Sequence, residues 1–202
     1  MNTAKLYRLI TENRGAIRED VYSALFEIVN EEIAKEAEKK AGRKANVRNA
    51  VKKFLGDDSR PILKRANVVD IDGVTYYGYC DGFKLAWSPI DFGFGVNTPE
   101  ESLKFTNVIN IKYRGEKGTI KADAEFKKNL NIAIKTAEDR YKIPFDLVCA
   151  NGNIIRVNAK YLQACLDFTE ADEIIVDMDS EVNPIVMYGK ENRNALCLPI
   201  RR

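Results

Sequence analysis

The chain has 202 residues, of which 45% are hydrophobic and 31% charged, and its formal net charge is +2. This composition is typical of a globular protein, and so small a net charge does not by itself indicate a nucleic-acid partner. The sequence contains no histidine, which excludes Ser-His-Asp and Cys-His catalysis as well as histidine-ligated zinc.

The four cysteines, Cys80, Cys149, Cys165 and Cys197, lie far apart and form no C-x-x-C pair. Zinc ribbons and thioredoxin-type redox sites are therefore not expected, and no metal or cofactor is predicted. Each cysteine lies in an apolar stretch, which favours a reducing cytoplasm. No apolar run approaches the roughly 20 residues of a membrane span, and the first residues lack the apolar core of a secretion signal.

The first 45 residues are predicted to form a helical extension. Between residues 18 and 40, apolar side chains recur at three- and four-residue spacing and predict a buried helical stripe made of Val21, Leu25, Ile28, Val29, Ile33 and Ala37. A second helix is predicted from about Asn46 to Leu55.

A β pattern follows. Strands are predicted at 61–71 and 74–79 around Asp72-Gly73, which favours a hairpin, and at 83–87 after Gly82. Residues 89–150 are harder to assign. Thr98 is predicted to cap a helical turn, and a longer helix is predicted at about 122–141.

The last third repeats the earlier pattern. Strands are predicted at 147–149 and 154–157 around Asn151-Gly152, and Asn158 is predicted to cap a helix that runs through Phe168. Strands at 173–178, 184–188 and 195–200 complete it. A helix followed by three strands therefore occurs twice, at about 46–87 and 158–200.

Four segments carry a resemblance to a known family: "RPILKRANVVDIDGVTYYGYCDGFKLA", "RVNAKYLQACLDF", "EIIVDMDSEVNPIVMY" and "ALCLPIRR". In this order they resemble the bacterial DNA polymerase III beta subunit, the sliding DNA clamp, over about 60–88 and 153–202. The resemblance implies an α+β fold: a DNA-clamp-like domain at 46–202, made of two helix-plus-β-meander halves, with an inserted helical segment at about 89–150. A clamp subunit has three such domains, and this chain has the length for one.

The resemblance also implies an apolar groove for short peptide motifs. By position its residues would be Leu63, Cys80, Gly82, Phe83, Leu85, Tyr161, Leu196, Leu198, Pro199, Ile200 and Arg201. The alternative, that Leu63, Leu196 and Leu198 only fill a core, stays open.

The run "KKAGRKANVRNAVKK" contains no acidic residue. Clamp helices contact the DNA backbone through basic side chains, so the resemblance implies double-stranded DNA contacts at Arg43, Lys44, Arg48, Lys52 and Lys53. An ordinary solvated helix face is the alternative.

Acidic residues at "DIDG" and "VDMDSE" could hold Mg²⁺, but turns explain both stretches, and no catalytic residue is predicted. The expected function is a non-enzymatic, DNA-associated platform for replication or repair proteins, of mobile-element origin. The alternative is a protein–protein interaction module with the clamp fold that does not encircle DNA. Because the two groove segments lie on neighbouring domains in a clamp, we expect head-to-tail self-association that places Gly82–Leu85 of one copy beside Leu196–Arg201 of the next.

Overall fold

The chain divides into two compact units, residues 1–47 and residues 48–202. The structure, a computed structural model, describes residues 9–10, 12–13, 21–22, 24–25, 28–29, 42, 46–56, 60–109, 113, 115–139 and 141–200. Of these described residues, none belongs to a helix that is both long and apolar enough to cross a membrane.

The first unit has a small apolar cluster of Ile10, Tyr22 and Val29, against which Leu25 packs. Tyr22, Leu25 and Val29 follow helical spacing and lie in helical backbone, as predicted. The predicted stripe is partly wrong, because Val21 is 43% exposed and Ile28 is 59% exposed. Tyr22, whose ring is larger than the side chain of its neighbour Val21, is the first buried residue of this stripe. Ile33 and Ala37 lie outside the described residues.

Residues 46–52 form helical backbone, here helix α1, and the second unit begins within it at Arg48. A 3-10 turn at Pro61–Leu63 precedes three strands, β1 (Asn67–Ile71), β2 (Val74–Cys80) and β3 (Lys84–Ser88). The predicted hairpin at Asp72-Gly73 is confirmed, since both residues adopt positive φ, +50° and +78°. The strand predicted at 61–71 is too long because Pro61 opens a tight turn instead.

Residues 89–150 contribute a short helix α2 (Thr106–Ile109), strand β4 (Lys117–Lys121), helix α3 (Ala124–Thr136) and strand β5 (Pro144–Val148). Thr98 caps a turn and not a helix: the Glu101 N–H donates to its hydroxyl at 3.3 Å, but the following residues are turn and bend. Strand β4 was not predicted.

The remaining elements are strand β6 (Ile154–Asn158), helix α4 (Ala159–Thr169), and strands β7 (Glu173–Asp177), β8 (Ile185–Tyr188) and β9 (Asn194–Cys197). The predicted cap is confirmed, because the Asn158 side chain accepts from the Lys160 N–H at 3.0 Å. The Asn151-Gly152 hairpin between β5 and β6 is also confirmed.

Among the described residues, seven strands form one sheet in the order β1-β2-β3-β9-β8-β7-β4, and β5 with β6 forms a separate pair. The two meanders meet where β3 pairs antiparallel with β9. Strand β3 is buried along its whole length. One sheet face carries an apolar cluster that includes Leu85, Trp87 and Phe105, and Gly78 leaves the space that the Phe105 ring fills.

Candidate functional site

A tight turn between β2 and β3 presents a large apolar side chain to solvent. One Asp81 carboxylate oxygen accepts from the backbone N–H groups of Phe83 and Lys84, both at 2.9 Å. Gly82 has a φ of +95°, a conformation that other residues rarely adopt. The turn therefore fixes the backbone of Phe83, whose side chain is 55% exposed.

The end of β9 lies beside this turn in the same chain. Lys84 pairs with Cys197 and Leu85 with Leu196 in the β3–β9 ladder, and the Leu198 N–H donates to the Phe83 carbonyl at 2.9 Å. Leu198 is 40% exposed. Two large apolar side chains from opposite ends of the second unit thus lie next to each other at the surface.

Helix α4 supplies an aromatic partner for the turn. The Tyr161 ring stacks on the Phe83 ring, with centroids 5.9 Å apart and planes inclined by 22°. Burial raises the pKa of the Tyr161 hydroxyl, and the nearby Asp81 carboxylate raises it further. The hydroxyl therefore stays protonated, and the ring forms a neutral wall.

A buried cation lies behind this aromatic wall. The Lys84 side chain is 5% exposed and forms an ion pair with Asp81, whose side chain is 17% exposed. The Lys84 ammonium also lies 4.6 Å from the Tyr161 ring centroid and 5.6 Å from that of Phe54. Cation–π contact and a paired carboxylate together compensate for removing this charge from water.

The β5–β6 hairpin closes the other side of the site. The Ile200 N–H donates to the Arg156 carbonyl at 2.7 Å, and Pro199 forms a bridge to Val157. The Arg156 guanidinium holds Asp146 on the paired strand with two bonds, of 2.7 and 2.8 Å. The segment after β9 is therefore attached to β3 on one side and to β6 on the other.

These elements enclose the long groove, a cleft of about 900 Å³. It is lined by Gly82, Phe83, Tyr141, Lys142, Pro144, Arg156, Asn158, Tyr161, Val182, Leu198, Pro199 and Ile200. A smaller cavity of about 290 Å³, the side pocket, adjoins the long groove at Phe83 and Leu198. Its lining shares Gly82, Phe83 and Leu198 and adds Asn67, Cys80, Lys84, Leu85, Leu103, Lys104, Phe105 and Leu196.

Most of the predicted groove residues meet in these two cavities. Phe83, Tyr161, Leu198, Pro199 and Ile200 line the long groove, whereas Cys80, Leu85 and Leu196 line only the side pocket. Leu196 also belongs to the apolar core, together with Leu85. For Leu196, the groove interpretation and the core interpretation therefore both hold in part.

The predicted groove position of Leu63 is corrected. It is 3% exposed, packs against Gly56 and lines neither cavity, because the 3-10 turn points it into the core. Arg201 lies outside the described residues. The prediction missed groove residues from three places, which are Tyr141, Lys142 and Pro144 of the inserted segment, Arg156 and Asn158 of β6, and Val182 of the β7–β8 loop. A tyrosine and a lysine just before Pro144 were the one signal in the sequence for the first of these groups.

The predicted head-to-tail arrangement, with Gly82–Leu85 of one copy beside Leu196–Arg201 of the next, stays a prediction, but bringing these segments together does not depend on it. The Gly82–Leu85 segment already lies beside Leu196 and Leu198 within one chain. Because the β3–β9 ladder uses the hydrogen bonds that such an exchange would need, the groove does not require a second copy.

Of the five residues predicted to contact DNA, three lie in the part of the chain that the structure describes. The Arg48 Nε donates to the Phe92 carbonyl at 3.0 Å, and its guanidinium lies 4.9 Å from the Phe94 ring centroid. Lys53 pairs with Asp167 at 2.8 Å, and Lys52 is exposed. Arg43 and Lys44 lie outside the described residues.

The acidic residues that suggested a metal site have structural roles. Asp177 is 2% exposed and accepts from Asn183 and from the Asp179 N–H, while Asp179 accepts from the Glu116 N–H. Asp70 accepts from the Thr75 hydroxyl across the hairpin. Within the described residues, no three acidic or cysteine side chains converge in a way that could hold a metal ion.

No family model matches the chain, and no curated protein matches its sequence. Solved structures do match. The sliding clamp of Bacillus subtilis is 14% identical, with a TM-score of 0.54 over 79% of this chain and 62% of that one. The Helicobacter pylori beta clamp is 11% identical, with a TM-score of 0.55 over 78% of this chain and 63% of that one.

The DNA polymerase III subunit beta of Pseudomonas aeruginosa is 10% identical, with a TM-score of 0.54 over 78% of this chain and 65% of that one. This chain therefore spans just under two thirds of the length of these clamps. The α+β clamp-like fold predicted from the sequence is confirmed: over about 79% of its length, this chain has the fold of a bacterial DNA polymerase III beta sliding clamp.

Proposed function

We propose that this chain is a non-enzymatic, cytoplasmic platform that binds short extended peptides of replication or repair proteins and associates with the DNA backbone. The long groove carries the proposal. Its wall is built from residues far apart in sequence, Phe83 and Leu198, which a hydrogen bond holds side by side at the surface.

The composition of the long groove fits an extended peptide. Its volume of about 900 Å³ lies in the range of ligand sites. Phe83 and Leu198 are 55% and 40% exposed, and exposed large apolar side chains in contact favour a binding surface. A peptide that crosses the ridge of Phe83 and Leu198 would reach both the long groove and the side pocket. Such a peptide would bury alternate side chains on either side of that ridge.

One further observation supports a non-catalytic role. The acidic residues at 177 and 179 are hydrogen-bonded to backbone and amide groups and hold a turn.

The groove is tested by selecting binders from a phage-displayed library of random dodecapeptides. Phe83→Ala should lower the affinity of selected peptides at least tenfold, because it removes the apolar wall. The matched control is Tyr188→Ala, since Tyr188 is 51% exposed on β8 and lines neither cavity. Equal loss in both variants, or no loss in Phe83→Ala, would refute the groove.

The association with DNA is supported by the charge of three neighbouring helices. Helix α3 contacts α4 through Asn131 and Gln163 at 2.6 Å, and Lys53, just after α1, pairs with Asp167 of α4. Along these helices and the residues that flank them, six lysines, Lys52, Lys53, Lys127, Lys128, Lys135 and Lys160, are set against four acidic residues, Asp123, Glu125, Asp167 and Glu170. A cationic excess of this kind favours phosphate contacts that do not read the base sequence.

Salt-dependent binding of a duplex of arbitrary sequence tests this second part. Lys52→Glu should weaken binding, and it should reduce the slope of log K against log[salt]. Arg48→Glu and Lys53→Glu are less informative because both side chains already have protein partners. Absence of DNA binding at low salt, with peptide binding intact, would favour an interaction module that does not encircle DNA.

A further inference from the structure

The Tyr161 ring lines the long groove from the first turn of α4 and has two contacts that fix its position. It stacks on the Phe83 ring, with centroids 5.9 Å apart. The Lys84 ammonium lies 4.6 Å from the Tyr161 centroid, within the roughly 6 Å of a cation–π contact. This wall of the groove therefore depends on a cation that lines the side pocket and not the long groove.

A single carboxylate fixes both Phe83 and Lys84. One Asp81 oxygen accepts from the backbone N–H groups of Phe83 and Lys84, and the other oxygen pairs with the Lys84 ammonium. Because the Lys84 side chain is almost fully buried, water screens its charge much less than at the surface. A desolvated cation also attracts a ring face more strongly than an exposed one. Lys84 thus holds a fixed charge beside the Tyr161 ring.

Tyr161 depends on this cation more than the second nearby ring does. The Phe54 centroid lies 5.6 Å from the Lys84 ammonium, but Phe54 is fully buried and also packs edge-on against Phe168. Tyr161 is only half-buried and borders an open cleft of about 900 Å³. Core packing therefore fixes Phe54 without the lysine, whereas Tyr161 has space to move once the charge is removed.

Resting on the proposed groove, we propose that Lys84 is a positioning residue for peptide binding. Its buried charge holds the Tyr161 ring against Phe83, so the apolar wall is formed before a peptide arrives. Without the charge, the peptide has to order this wall as it binds, and the cost of that ordering lowers its affinity. Lys84 acts through Tyr161 and not by contact with the peptide.

The probe is a capped, fluorescein-labelled dodecapeptide selected on the unmodified chain, and fluorescence anisotropy gives its affinity. Lys84→Met should weaken binding about tenfold. The same substitution at Lys190, which is exposed and lines neither cavity, should leave the affinity unchanged. Adding Asp81→Asn to Lys84→Met should recover part of the stability, because no buried charge is left unpaired, but the affinity should stay low. A purely structural lysine predicts that affinity recovers together with stability.

A double-mutant cycle tests whether Lys84 acts through Tyr161. Tyr161→Leu removes the ring face but keeps an apolar side chain at the groove. It should weaken the peptide by itself, and Lys84→Met added to it should weaken the peptide no further. Tyr161→Phe, which keeps the ring face, should remain sensitive to Lys84→Met. Additive losses for Tyr161→Leu and Lys84→Met would show that the lysine acts by another route, and the inference would be wrong.

The outcomes separate this inference from the function on which it rests. If Phe83→Ala abolishes binding but Lys84→Met binds the peptide normally, the groove stands and the positioning role is wrong. The same conclusion follows if the double variant with Asp81→Asn regains affinity along with stability. If the library yields no binder, or if Phe83→Ala has no effect, both fail. Affinities are compared at a temperature where urea titration shows every variant to be folded, so unfolded molecules do not imitate a loss of affinity.

Discussion

Lys84→Met tests whether the buried cation stabilises the groove wall. Methionine keeps the length and apolar stem of lysine but removes the charge that pairs with Asp81. Breaking a buried ion pair on one side costs about 3–5 kcal/mol, because the remaining charge stays buried. Asp81 is 17% exposed and keeps two backbone N–H donors at 2.9 Å. We therefore expect a loss at the lower end, about 3 kcal/mol.

Urea unfolding followed by circular dichroism measures this loss as a lower midpoint at an unchanged m-value. The double variant Asp81→Asn with Lys84→Met should recover part of the stability, since no buried charge is then left unpaired. Lys160→Met is the control, because Lys160 is exposed on α4 and should change stability by less than about 0.5 kcal/mol. A Lys84→Met variant as stable as the Lys160→Met control would refute the reasoning.

Three further experiments, two substitutions and one labelling reaction, have defined outcomes. Asn158→Ala should lower stability by about 1 kcal/mol through loss of the α4 cap, and Asn158→Ser, which keeps an acceptor for the Lys160 N–H, should lower it less in the same urea titration. Both variants lose the bond from the Asn158 amide to the Tyr141 carbonyl. Gly189→Ala should lower the melting temperature, because the added Cβ would overlap the Thr169 carbonyl, at a cost of about 1–3 kcal/mol. A thiol reagent at pH 8, followed by mass spectrometry, should label half-buried Cys80 first and Cys165 only on unfolding, because Cys165 is inaccessible to the reagent in the folded chain. Burial raises the pKa of both thiols, so the difference in access sets the order.

Local signals in the sequence were sufficient for turns and caps. Asp72-Gly73 and the Asn158 cap are set by interactions within a few residues, so their chemistry is visible in the letters. Strand β4, Lys117–Lys121, was missed because its formation does not depend on local signals. It is a charged edge strand with one buried position, Gly118, and it pairs with β7, which lies much later in the sequence.

The site was predictable only in part. The turn at Gly82 and the apolar end of β9 were recognised, but their meeting within one chain depends on the β3–β9 register, which no local pattern encodes. The contribution of the β5–β6 hairpin depends in addition on a backbone bond from Ile200 to Arg156. The groove therefore depends on long-range pairings that no local pattern in the sequence specifies.

The β3–β9 pairing has a consequence for when the proposed groove forms. The centre of the sheet is closed by two strands far apart in sequence, so a chain still emerging from the ribosome has β3 paired with β2 but not yet with β9. Pairing of such distant segments is slow compared with formation of local hairpins. Because Phe83 and Leu198 become neighbours only at this step, the proposed groove forms only in molecules whose second unit has been synthesised to the end of β9.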